Sequence, residues 1–153
     1  MRKSVFGRLT ALFAVVLAAA GIALVGVSPA QAGTIQQCTN PSPPSWWATR
    51  LQEAADNPND SVPSSWGSSL NMARIVCRES DFDHTARNGQ YYGLGQMSQT
   101  SVEARGVSWD SYANGTSAHP ATYYQLLAAL RYCQWRYGDT TSAWQNEVNY
   151  GWW

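Results

Sequence analysis

Residues Ala73 to Met97 read ARIVCRESDFDHTARNGQYYGLGQM. The stretch begins as the end of an amphipathic helix, passes through a short polar turn and enters a Gly- and Tyr-rich hairpin. Glu79 falls where the helix stops. Counting back by helical spacing, Val76, Ile75 and Met72 lie on its face. A carboxyl on an apolar stripe loses hydration, which disfavours its charged form and raises its pKa. A carboxylic acid that keeps its proton near neutral pH can pass it to a leaving oxygen. A Glu in the last turn of a helix is more often a solvated surface residue, so its surroundings decide.

Those surroundings carry a resemblance. Arg78-Glu79-Ser80, then Phe82 and Ala86-Arg87-Asn88, then Tyr92-Gly93-Leu94-Gly95-Gln96-Met97 resemble the signature of the soluble lytic transglycosylases, in the lysozyme-like superfamily. The likeness spans about Leu70 to Trp153. It departs from the family pattern in three places. His84 stands where Pro is usual, Gly95 stands where Met is frequent, and the late Tyr-Asn-Ala-Gly run is missing. In place of that run the C-terminus reads Arg136-Tyr137-Gly138, Ala143-Trp144 and Gly151-Trp152-Trp153, similar to a variant among short secreted actinobacterial members. The far wall of the cleft is therefore unassigned by sequence.

The resemblance implies a mainly α, lysozyme-like domain with a small β-hairpin beside a catalytic cleft. It also implies a peptidoglycan-cleaving enzyme that uses one Glu and no cofactor. Glu79 would first protonate the bond between N-acetylmuramic acid and N-acetylglucosamine. Ionised, it would then take the proton from the muramoyl 6-hydroxyl as that oxygen closes a 1,6-anhydro ring. Ser80, Asn88, Tyr91, Tyr92 and Gln96 take the substrate-binding positions. Asn88 either holds the turn or reaches Glu79, and Gly93 and Gly95 would let sugar approach the backbone. Hydrolysis by water, or glycan binding without cleavage, are the alternatives.

The 153-residue chain opens with Arg2, Lys3 and Arg8, an apolar run from Leu12 to Val27, and Ala30-Gln31-Ala32. This is the anatomy of a secretory signal with a small-x-small cleavage site, giving a mature start near Gly33 and no membrane span thereafter. Residues 33–65 then read as an arm and first helix, and 66–153 as the main domain. The remaining 121 residues suit a single core. They hold seven basic and ten acidic residues, net −3, and no Lys. That argues against nucleic acid, which needs a basic surface. Glycan recognition must rest on stacking and hydrogen bonds, for which eight Trp and eight Tyr are available. The peptidoglycan strand is the expected partner, and a monomer the expected state.

Of Cys38, Cys77 and Cys133, the expected disulfide is Cys77–Cys133, both on predicted core helices; a Cys38 bridge clamping the arm is the rival. With only His84 and His119 as histidines, no metal site is expected. A second catalytic carboxylate would have to come from Asp81, Asp83, Glu103 or Asp110, and none stands out. Helices are expected over Trp46–Asp56 with Ser45 as cap, from Trp66 or Ser69 to Glu79, from Thr100 to about Gly106, from Pro120 to Gly138, and from about Thr141 to Tyr150. Leu70 is placed on the apolar side of the Glu79 helix, and Arg74 and Arg78 on its solvated face. Val107 to Ser117 reads as a loop.

Overall fold

A computed structural model describes residues 33–153. The leader reading falls on residues 1–32 and lies outside the described residues. Six helices are described: α1 (Trp47–Asp56), α2 (Ser69–Ser80), α3 (Gln99–Glu103), α4 (Trp109–Asn114), α5 (Ala121–Tyr137) and α6 (Thr140–Tyr150). Strands β1 (Arg87–Asn88), β2 (Tyr91–Tyr92) and β3 (Met97–Ser98) form an antiparallel sheet in sequence order. The domain is thus mainly helical with a small antiparallel sheet. No described helix is long and apolar enough to cross a membrane.

Local chemistry sets the element ends. Ser68 caps α2 by accepting the Asn71 N–H, and Asp81 closes it in the left-handed region at φ 50°. Asp139 accepts the Ser142 N–H to start α6, and Gly151, at φ 75°, ends it. α5 begins just after Pro120 and ends before Gly138. In the β1–β2 hairpin Asn88 pairs with Tyr91, leaving Gly89-Gln90 as a two-residue loop. Gly89 has φ 60° while Gln90 has negative φ, the pattern of a type II′ turn with Gly first.

α2 packs on α6, and α5 packs on α1, α4 and α6. Met72, Ile75 and Val76 of α2 meet Leu126, Leu127 and Leu130 of α5 in one core that also takes Leu51 and Ala54 of α1 and Ala143 of α6. The stripe beneath Glu79 is therefore core, as the helical spacing requires.

Four expectations need correction. The disulfide joins Cys38 to Cys77, and Cys133 is a free, buried thiol. A 3₁₀ turn over Gln37–Thr39 presents Cys38 to α2, so the arm is docked on that helix. Cys133 instead sits on the core face of α5. Trp109–Asn114 is a helix, not a loop: Ser108 caps it, and Tyr112 anchors it with no exposure. Leu70 is largely exposed. Arg78 is half-buried and ion-paired rather than solvated. In addition, Ser45 does not cap α1, whose N-terminal cap is Trp46 without a side-chain bond, and Ser98 rather than Thr100 caps α3.

Candidate active site

A cleft of about 470 Å³ opens beside the end of α2. Glu79 lines it with Asn88 of β1, Tyr91 of β2, Gly95, Gln96, Met97, Ser98 and Ser101, together with Tyr132 of α5 and Gly151, Trp152 and Trp153. The wall left unassigned by sequence is thus built by the terminal Gly-Trp-Trp run and Tyr132. The Trp153 ring lies directly over Gly95: a Cβ there would meet the indole at 3.0 Å, so a larger residue would force the ring away. Tyr132 braces the same indole edge-on, with centroids 5.2 Å apart.

Burial pushes the Glu79 carboxyl up to about 7, and the negative charge of Glu147 adds to the rise. The Arg78 cation and a polar contact from the Trp153 side chain pull the other way and lose. At neutral pH about half of the Glu79 carboxyls then carry a proton. Among the described residues no other Asp or Glu side chain lines the cleft. Asp81 forms the cap of α2. Asp83 accepts from the Thr85 amide and hydroxyl at 2.8 and 2.7 Å, a turn-building role that lowers its pKa. Glu103 and Asp110 accept bonds from Gln99 and Asn114 one helical turn away.

The structure brings Asn88, Tyr91 and Gln96 to the cleft with Glu79, but not Ser80 or Tyr92. Ser80 is buried, and its hydroxyl donates to the Leu94 carbonyl at 3.0 Å. Tyr92 packs against Trp109 and Tyr112, and its backbone carbonyl accepts the Tyr112 hydroxyl at 2.7 Å. Gln96 lines the cleft, yet its amide donates to the carbonyls of Ala86 and Gly93 at 3.0 and 2.9 Å. Asn88 makes no hydrogen bond to Glu79 among the described residues. Gly95 does face the cleft. Gly93, at φ 77°, instead abuts the Gln125 side chain, where a Cβ would fall 2.6 Å from it.

Two residues that shape the site were missed by sequence reasoning. Gln125 is fully buried on α5. Its carbonyl accepts the Leu94 N–H at 2.8 Å, and its amide donates to the carbonyls of His84 and Tyr112. It thereby holds the turn, the glycine loop and α4 to one point. Glu147 of α6 is 1 % exposed and accepts from Arg78 Nε at 2.9 Å. The close glycine at Gly93 was the available hint for Gln125; for Glu147 the sequence offers none.

No family model matches the chain, and neither a curated protein nor a solved structure matches it significantly.

Proposed function

We propose that the protein is a secreted lytic transglycosylase of peptidoglycan, cutting the bond between N-acetylmuramic acid and N-acetylglucosamine to leave 1,6-anhydro ends. The observation that carries this reading is Glu79: a carboxyl held up to about 7 in an open cleft that no second Asp or Glu side chain lines among the described residues. Hydrolytic glycosidases generally place a second carboxyl across the bond to activate water or to attack the sugar. A cleft with one acid suits a reaction whose nucleophile is the substrate's own hydroxyl. The proton leaves Glu79 for the glycosidic oxygen. The carboxylate so formed takes the 6-hydroxyl proton while that oxygen bonds the anomeric carbon, and Glu79 ends protonated.

The remaining lining fits a neutral, ring-shaped polymer. Tyr91, Tyr132, Trp152 and Trp153 offer flat faces for sugar stacking, while Asn88, Ser98 and Ser101 offer hydrogen bonds. Tyr91 and Trp152 are 44 % and 48 % exposed, and the Arg136 guanidinium lies over the Trp152 ring at 4.8 Å. The domain acts as a monomer in this reading.

The test is digestion of purified peptidoglycan followed by mass spectrometry of the soluble products. Anhydro-muropeptides are expected. Products heavier by one water would make the protein a hydrolytic muramidase. Binding to the wall with no soluble product at any pH would make it a glycan-binding module.

A further inference from the structure

We propose that Glu147 is a positioning residue for the acid Glu79, acting through Arg78; this assignment rests on the glycan-cleaving role given to Glu79 above. The carboxylate of Glu147 is buried on α6, and a charge taken so far from water must be paired. Its partner is the guanidinium of Arg78, the residue next to Glu79. Arg78 Nε meets Glu147 Oε1 at 2.9 Å, and another of its nitrogens donates to the Gly33 carbonyl. Neither Arg78 nor Glu147 lines the cleft. Successive helix positions point about 100° apart, so the cation is spent away from the face on which Glu79 works.

That division has a chemical consequence. A free guanidinium beside Glu79 would swing toward its carboxyl and favour the ionised form, which cannot protonate a leaving oxygen. Glu147 occupies the guanidinium, and its own charge adds a negative potential. Its Oε2 is buried with no hydrogen-bond partner, so that charge is not further offset. The groups whose charge or polarity reaches Glu79 are Arg78 on its own helix, Glu147 on α6 and the Trp153 side chain, and the phenols of Tyr91 and Tyr132 line the same cleft.

The experiment is an NMR titration of Glu79 in the purified protein, labelled with carbon-13 at glutamate carboxyls, beside a pH profile of peptidoglycan cleavage. In Glu147→Gln the Glu79 midpoint is expected to fall by about one pH unit. Cleavage at pH 7 should then drop about fivefold, the change in protonated fraction for that shift, while cleavage at pH 5 is kept. Arg78→Gln should move the midpoint the opposite way, above wild type, and serves if Glu147→Gln does not fold. An unmoved midpoint in either variant, or activity lost equally at pH 5 and pH 7, would reduce Glu147 to a structural brace and overturn the proposal. If the midpoints move as expected but wild type releases no muropeptides, the coupling stands and the glycan-cleaving reading falls.

Discussion

On one side of the last turn of α2, Cys77 is bonded to Cys38, and Arg78 is tied to Glu147 and to the Gly33 carbonyl. On the other side Glu79 faces the cleft, makes no ion pair among the described residues, and has its carboxyl pushed up to about 7. The cross-linked side fixes where the helix ends. The open side keeps one acid partly buried without a cation paired to it among the described residues, an arrangement held at the cost of stability. Breaking one side should lose structure and spare chemistry; breaking the other should do the reverse.

The largest contrast is expected from Glu79→Gln. It removes the only Asp or Glu side chain that lines the cleft among the described residues while preserving shape, so muropeptide release should fall about 10²- to 10⁴-fold. Circular dichroism should be unchanged. Activity within tenfold of wild type would place the acid elsewhere. Next comes Cys38→Ser on the tied side. The bridge spans 39 residues, and loop-closure entropy gives it about 4 kcal/mol. Urea unfolding should show that loss, with the Glu79 pH profile retained in the folded fraction. Thiol labelling should leave Cys133 untouched in the native protein, because it is wholly buried and burial pushes its thiol up.

The open side has its own stability signature. The Glu79 carboxyl rises from 4.5 to about 7 on folding, so the folded state binds its proton more tightly than the unfolded chain. That contribution is complete below about pH 4.5 and is lost as pH rises through 7, for a total of about 3 kcal/mol. Glu79→Gln removes the dependence. The variant should match wild type at pH 4 and exceed it at pH 8 in thermal unfolding. Equal stabilities at both would mean that Glu79 is solvated in the folded state.

How far this contrast could be read in advance follows from the kind of signal each residue leaves. α2, the hairpin, α5 and α6 show in the sequence because apolar spacing and end chemistry agree there: Met72, Ile75 and Val76 beneath Glu79, Gly89 at the turn, Pro120 and Gly138 around α5. α4 has six residues, too few for a period to show, and its place is set by tertiary burial of Tyr112. Cys38 was misassigned because a proline-rich arm says nothing about what it docks on. Gln125 and Glu147 are polar residues on helices, and nothing in the pattern around them signals burial. Only the fold buries them, and only then do their hydrogen bonds become visible. Glu79 was legible because its neighbours along the helix are apolar; its tuning partner was not, because it arrives from another helix.

Ser80 gives the smallest expected effect and draws the boundary between the two sides. It adjoins Glu79 in sequence, and the resemblance to the transglycosylases implies a substrate-binding role for it. In the structure its hydroxyl is buried and bonded to the Leu94 carbonyl, with Val76 carbonyl at 3.3 Å as the weaker alternative. That bond links the end of α2 to the glycine loop that floors the cleft. Ser80→Ala removes one neutral hydrogen bond and leaves a buried carbonyl unpaired, a loss of about 1 to 2 kcal/mol in unfolding free energy. Because the hydroxyl does not reach the cleft, KM for glycan should stay within about twofold and kcat should fall only as far as Glu79 shifts with the loop. A rise in KM of tenfold or more, with stability unchanged, would show that Ser80 turns to the sugar when substrate binds and belongs to the open side after all.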